Sequence, residues 1–165
     1  MSLDNFTLVK QAGHSSAPTY TYSVQAGATT INRGEPVKLA SISGDYVVPS
    51  ADAEPVVGTP TFLGIAASTS NQTASADGTV EVYRALPGFV FRAKAKTLST
   101  VDTAAEILAL KNNHVVLDLT SSVYTIDAAA AHAGTNGVII IGGDPVMGTL
   151  DVIFKNSVQP ESVAA

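Results

Sequence analysis

The segment "GVIIIGGDPVMGTLDVIF" at residues 137–154 has residue types that could bind a phosphate group. Aliphatic residues followed by glycines are typical of loops that cradle phosphates, but a P-loop also needs a lysine directly after its last glycine. Thr149 follows Gly148 instead, and the residues after it alternate between outward and inward positions in the manner of a strand. The segment therefore predicts a β-hairpin and not a phosphate site.

Within this hairpin, the pattern predicts a largely buried strand at 138–141, a turn at 142–148 and a return strand at 149–154. A turn of this kind can also contact another molecule. If the turn has a function beyond folding, we expect it to contact a neighbouring subunit through Asp144, Pro145, Val146 and Met147.

The side chains that could act in catalysis do not form a recognisable constellation. His14, His114 and His132 are not spaced as metal ligands, and no G-x-S-x-G motif is present for a serine nucleophile. The chain has no cysteine, and its acidic residues are scattered among turns and strands, where they usually cap the backbone. We therefore expect no enzymatic activity, no metal site and no cofactor.

The charge pattern limits the classes of partner. Charged residues make up 14% of the chain and the net charge is −5, whereas soluble proteins average about 25% charged residues. Arg92, Lys94 and Lys96 could share one strand face, but three basic residues fit a solvated face better than a nucleic-acid site. No apolar run approaches the ~20 residues of a membrane helix, and the first residues lack a signal-peptide pattern. We expect neither a nucleic-acid nor a membrane partner.

The elements that would position these residues are mainly β. Short alternating segments separated by turn signals predict a small β-barrel or sandwich of antiparallel strands. One short helix is expected at 103–111, because Thr103 and Glu106 have the spacing of a capping box. The helix is expected to bury its apolar side chains at Ile107, Leu108 and Leu110.

The N-terminal segment predicts an extended arm. A short strand, "FTLVK", is followed by a polar stretch with Gly13 and Pro18, and strand character resumes at residue 20. We divide the chain into an arm at 1–19, a β-rich domain at 20–155 and a tail at 156–165. An ordinary edge strand and loop is the alternative interpretation of the arm.

Part of the pattern resembles the head decoration proteins, or cement proteins, of tailed bacteriophages. In that family a G-x-P-V-x-L strand is followed by a valine-rich strand, an acidic loop with proline, a G-I-A strand and a G-x-V-x-V strand. The resemblance covers most of 31–155, and the predicted helix is not part of the minimal pattern. The matching positions are Gly34, Pro36, Val37, Leu39, Gly64, Ile65, Ala66, Gly78, Val80 and Val82.

The resemblance implies a structural protein of the virion that binds the outside of the capsid as a homotrimer. Its partner would be the major capsid protein, and it would stabilise contacts between capsid subunits. Family members commonly reach across the shell with an N-terminal arm. The residues of this chain that correspond to such a contact are Phe6, Leu8, Val9 and Lys10.

Two other function classes remain open at this stage. The first is another phage structural or carbohydrate-binding β module, associated with a tail or fibre. The absence of Trp and the scattered Tyr residues weigh against sugar binding. The second is a β-fold hydrolase with an active site assembled from distant residues, which a cleft with perturbed acids or paired histidines would favour.

Overall fold

The computed structural model describes residues 6–10, 18–42 and 44–160. Eleven strands form two antiparallel sheets, and one α-helix packs on the larger sheet. The strands are β1 (Thr7–Lys10), β2 (Tyr20–Val24), β3 (Pro36–Leu39), β4 (Val47–Pro49), β5 (Phe62–Ala66), β6 (Gly78–Arg84), β7 (Val90–Lys94), β8 (His114–Thr120), β9 (Val123–Asp127), β10 (Val138–Asp144) and β11 (Thr149–Phe154), and the helix is α1 (Ala104–Leu110).

The larger sheet contains six strands in the order β1-β7-β11-β10-β8-β9. Two of its pairs are hairpins between strands adjacent in sequence, β8–β9 and β10–β11. Strand β7 pairs with β11 although the helix and three strands lie between them in the chain. A single parallel bridge joins Ala95, just after β7, to Ile126 in β9. The sheet bends back on itself through this bridge but stays open.

The smaller sheet contains five strands in the order β2-β6-β5-β3-β4. A single parallel bridge between Ser23 and Tyr46 brings its two edge strands together. The architecture is therefore an open, sandwich-like arrangement of two sheets. The mainly β fold with one short helix is confirmed, and the sandwich describes it better than a closed barrel.

Each sheet has its own hydrophobic core. The larger core contains the inward side chains of β7, β8, β10 and β11, together with Phe6 and Phe62. The smaller core includes Val37, Val80 and Val82. Val80 and Val82 face inward, and Glu81 between them is exposed.

Strand β5 contributes to both cores. Phe62 and Ile65 pack in the larger core, and Leu63 and Ala66 pack in the smaller one. Leu63 and Ile65 are two residues apart, so a regular strand would place both on one face. The register between β3 and β5 shifts at this point, and Gly64 has a φ of 153°. The irregular backbone at Gly64 therefore changes which face each side chain occupies.

Helix α1 begins as the sequence predicts. Thr103 Oγ1 accepts a hydrogen bond from the backbone N–H of Glu106, and a carboxylate oxygen of Glu106 accepts one from the backbone N–H of Thr103. The predicted apolar face is only partly correct. Ile107 is buried against β10 and Leu110 is half-buried, but Leu108 is 70% exposed. One turn of helix separates Ile107 from Leu110, whereas Leu108 is rotated by about 100° away from Ile107.

The hairpin at 138–154 is confirmed, but its turn is shorter than predicted. Strand β10 continues to Asp144 because Gly142 and Gly143 remain paired with Asp151 and Leu150 of β11. A bulge between Ile140 and Gly142 absorbs the extra residue. The prediction of a turn from residue 142 was therefore wrong, and the turn occupies only residues 145–148.

The described parts of both termini pack on the β-rich body. Phe6 donates its backbone N–H to the carbonyl oxygen of Gly34, and its ring lies 6.3 Å from that of Phe154. At the other end, Val158 is buried in the larger core. The remaining parts of the predicted arm and tail, at 1–5, 11–17 and 161–165, lie outside the described residues.

Candidate partner-binding surfaces

Three large apolar side chains are exposed at one end of the six-stranded sheet. Val146 and Met147 occupy the β10–β11 turn and are 91% and 55% exposed, and Leu98 is 59% exposed in a 3-10 turn at Leu98–Thr100. The Cδ2 atom of Leu98 lies against Gly148, and a Cβ atom added to that glycine would clash with it. We call Leu98, Val146 and Met147 the sheet-end surface.

The conformation of this turn is held by Asp144. Its Oδ1 atom accepts hydrogen bonds from the backbone N–H groups of Val146 at 2.9 Å and Met147 at 3.2 Å. Gly148 completes the turn with a φ of 61°, in the left-handed region that favours glycine. Because the backbone groups of the turn are satisfied locally, the apolar side chains of Val146 and Met147 point outward on a defined loop.

Two carboxylates lie at the N-terminal end of α1, which packs on β10 with Ile107 close to Gly143. At this end of the helix the carboxyl groups of Asp102 and Glu106 share a hydrogen bond, which together with the charge of Glu106 raises the pKa of Asp102. Hydrogen bonds from Thr103 and Asp102 lower the pKa of Glu106.

The four N-terminal residues singled out by the resemblance have different environments. Phe6 is 4% exposed in the larger core, and Leu8 is half-buried against it. Val9 is 46% exposed and Lys10 is also exposed. The strand that contains them pairs with β7, with Thr7 opposite Arg92 and Lys10 opposite Val90. Of the four, only Val9 and Lys10 are exposed.

The basic residues on the outer face of β7 are largely neutralised within the chain. Arg92 forms a two-point ion pair with Asp151, with distances of 2.7 Å from Nε to Oδ1 and 2.9 Å from Nη2 to Oδ2. Beyond the strand, Lys96 Nζ lies 2.7 Å from Asp118 Oδ1 and 3.2 Å from Asp127 Oδ2. The hydrogen bonds that Arg92 donates to Asp151 raise its pKa, and those that Lys96 donates to Asp118 and Asp127 raise the pKa of Lys96. Both cations therefore contribute to the fold.

Two histidines are brought together although they are 18 residues apart. The ring centroids of His114 and His132 lie 4.9 Å from each other. A metal site would need at least one further ligand. Within the described ranges 6–10, 18–42 and 44–160, no group of three or more His, Asp or Glu side chains is positioned to hold a metal ion.

Two open depressions lie on the surface of the described residues, and neither brings together a set of side chains typical of catalysis. One, of about 500 Å³, lies on the outer face of the six-stranded sheet between the 86–88 turn and Ile139 and Ile153. A smaller one, of about 200 Å³, lies between the two sheets and is lined by Glu35 and Tyr124. Both oxygens of the Glu35 carboxylate accept hydrogen bonds from Asn32, and Tyr124 donates its hydroxyl to the carbonyl of Ser50 at 2.5 Å.

Comparisons with known proteins gave no match to any family model and no match among curated proteins. In the described part of the chain, no helix combines the length and the apolar character needed to cross a membrane.

The sequence singled out two residues of the sheet-end surface, and their contact with a neighbouring subunit stays a prediction. Val146 and Met147 were predicted to face a partner because they follow Asp-Pro in a turn. Leu98 was not predicted, because its position over Gly148 depends on the pairing of β7 with β11. The exposure of Leu108 and the carboxyl pair at Asp102 and Glu106 were also missed. The pair could have been inferred from the i, i+4 spacing of two acidic residues at a helix start.

Proposed function

We propose that the protein is a structural component of a tailed-phage virion that binds the capsid exterior as a homotrimer and stabilises contacts between major capsid proteins. The observation that carries the proposal is the sheet-end surface, where exposed Val146 and Met147 lie on a locally fixed turn and exposed Leu98 lies against Gly148 of that turn. Contiguous exposed apolar residues are typical of protein-contact sites. The sandwich-like β fold is compatible with the resemblance to decoration proteins.

The energetics of such a role do not require a strong single contact. A trimer that touches the shell at three points makes the second and third contacts intramolecular, so modest individual affinities add to long-lived attachment. The low charge content also suits a protein with much of its surface covered by neighbours, since interface cores are depleted in charged residues.

Co-sedimentation tests this proposal. Purified protein would be mixed with emptied heads of the phage that encodes it, prepared without the protein, and the heads would be pelleted. We expect saturable binding at a fixed number of copies per head and a higher temperature of head disruption. Heads whose surface was digested with protease serve as the control. Absence of binding to intact heads, or specific binding to glycans instead, would overturn the proposal.

A further inference from the structure

The open depression between the two sheets has a buried carboxyl residue in its lining. Glu35 is 7% exposed and Tyr124 is 3% exposed, and both line this depression of about 200 Å³. Half-buried Pro49 and Leu119 supply apolar walls. The exposed residues Thr30 and Ser122 place hydroxyl groups at its rim. The depression therefore combines a buried acid, apolar walls and a polar rim.

The Glu35 carboxylate is buried without a cation. Charged side chains are rarely this buried unless an opposite charge pairs with them. Within 6–10, 18–42 and 44–160, the ion pairs join Lys38, Arg92 and Lys96 to other carboxylates, and none of them includes Glu35. A cation that enters the depression would therefore meet a carboxylate that no cation of the described chain already neutralises.

The hydrogen bonds of Glu35 leave room for a further donor. Its Oε2 atom accepts from the backbone N–H of Asn32, and its Oε1 atom accepts from the Asn32 side-chain amide, both at 2.9 Å. An ionised carboxylate offers about four lone-pair positions. Two of these positions are occupied by Asn32, so another N–H group can bind without displacing a partner.

The electric field in this region favours positive charge. Burial raises the pKa of Tyr124, and the negative charges of Glu35 and Glu54 raise it further. The Tyr124 hydroxyl donates to the carbonyl oxygen of Ser50 and is not available to Glu35. The phenol ring therefore adds apolar surface to the depression, and the negative charge of Glu35 remains for a ligand.

We infer that this depression binds an ammonium group carried on an aliphatic chain. The ammonium group donates to the Glu35 carboxylate, and the methylene groups of the ligand pack between Pro49 and Leu119. Its other N–H groups donate to the hydroxyl oxygens of Thr30 and Ser122. The sources with this chemistry are a lysine side chain of another protein and a free alkylamine.

The geometry selects this ligand over two others. A guanidinium group binds a carboxylate best as a fork that engages both oxygens, and Asn32 already holds both oxygens of Glu35. Pockets for drug-sized ligands have volumes of about 300–1,000 Å³. A depression of about 200 Å³ suits one side chain better than a larger molecule.

A matched pair of probes tests the site on the unaltered protein. Isotope-labelled protein would be titrated with Nα-acetyl-lysine amide and with Nα-acetyl-norleucine amide, which has the same carbon chain without the ammonium group. We expect saturable shifts of the backbone amide signals of Asn32, Ser122 and Tyr124 with the lysine probe. The norleucine probe is expected to bind at least about tenfold more weakly. Equal binding of the two probes, or no binding of the lysine probe, would overturn the inference.

Charge removal at Glu35 provides a second test. Glu35→Gln keeps the size of the side chain and one carbonyl acceptor, and it is expected to raise the Kd of the lysine probe at least about tenfold. Glu81→Gln, at an exposed carboxylate on β6, is the matched control and is expected to leave the Kd unchanged. A folded Glu35→Gln variant with an unchanged Kd contradicts the assigned site. If circular dichroism shows that the variant does not fold, added sodium chloride replaces it as the test, because salt must weaken binding of the lysine probe to the wild-type chain.

A third probe, n-butylammonium, distinguishes the two sources. Tighter binding of the lysine probe assigns the site to a protein partner, and equal Kd values assign it to free alkylamines. The result is also separable from the capsid experiment. A chain that binds the lysine probe but does not pellet with heads retains this site and contradicts the proposed function, whereas a chain that pellets without binding any ammonium probe does the reverse.

Discussion

The Nδ1 atom of His132 accepts a 2.8 Å hydrogen bond from the backbone N–H of His114. This bond ties the loop at 128–137 to the first residue of β8. The same loop is held by Asn136, which donates to the carbonyl of His114, and by Lys155, which donates to the carbonyl of Gly134. Because Nδ1 of His132 acts as an acceptor, the imidazole that holds the loop must be unprotonated at that atom.

The environment of His114 makes stability depend on pH. Burial, then the electrostatic influence of Lys155 and of the neighbouring His132 ring, lower the pKa of His114. The unfolded chain therefore binds more protons, so this contribution to stability is complete above the unfolded pKa of about 6.5 and is lost as the pH falls below it. We expect the melting temperature to fall between about pH 7.5 and 5.5, and to fall less in a His114→Gln variant. Equal falls in both proteins would contradict this prediction.

The contribution of Asp118 is lost in a different pH window. Hydrogen bonds from Lys96 and Thr120 outweigh the effect of burial and lower the pKa of Asp118. A carboxylate with a lowered pKa keeps its contribution above the unfolded value and loses it only as the pH falls through the folded value. Its loss therefore occurs below about pH 4 and is separate from the histidine transition.

Gly64 is expected to be intolerant of any side chain. Its φ of 153° is in the region that L-residues rarely adopt, and a Cβ atom there would overlap the carbonyl oxygen of Tyr83 and lie 2.9 Å from the backbone nitrogen of Ala85. Gly64→Ala is expected to lower the free energy of unfolding by at least about 3 kcal/mol in urea titrations. Gly142→Ala is the control, because a Cβ atom there meets nothing within 4 Å. Similar losses in the two variants would be inconsistent with the steric argument.

Phe154 in β11 contacts aromatic rings from β5, from β7 and from the residue before β1. Its ring centroid lies 4.4 Å from that of Phe62, 5.7 Å from Phe91 and 6.3 Å from Phe6. Phe154→Ala is expected to reduce the free energy of unfolding by about 3–5 kcal/mol, since it removes buried area and leaves a cavity. Leu108→Ala, at an exposed helical position, is expected to change it by no more than about 0.5 kcal/mol. Chemical denaturation monitored by circular dichroism measures both values.

The capping box at the start of α1 makes a separate contribution. Thr103→Ala is expected to cost about 1 kcal/mol of stability, and Thr103→Ser to retain most of it, because serine also offers a hydroxyl acceptor. Thr29→Ala, at an exposed position whose side chain makes no hydrogen bond among those described, is the control. If Thr103→Ser loses as much stability as Thr103→Ala, the hydroxyl group does not account for the contribution of Thr103.

The elements that the sequence predicted well are those whose pairing is local. The β10–β11 hairpin and the capping box follow from residues within a few positions of each other, so periodicity and turn chemistry were sufficient. The pairing of β1 with β7 and of β7 with β11 joins residues roughly 60 to 80 positions apart. No local pattern encodes those contacts, and sheet order was therefore not predicted.

The same distinction explains the candidate surface. Asp144 and Val146 could be recognised because an Asp-Pro turn is a local signal. The position of Leu98 depends on β7 meeting β11, and the exposure of Leu108 depends on which side of α1 faces β10. The four residues of the predicted N-terminal contact differ in burial for a similar reason. Phe6 is buried in the chain's own core beside Phe154, and its sequence context did not indicate this.

The alternation of β5 between two cores has a consequence for how the chain unfolds. Phe62 and Leu63 are neighbours in sequence, yet each is an integral part of a different hydrophobic cluster. Loss of either cluster would leave one face of β5 exposed to water and would weaken the backbone that supports the other. The two sheets therefore form one cooperative unit, and neither half could be cut away as an autonomous domain without opening the core of the remaining half.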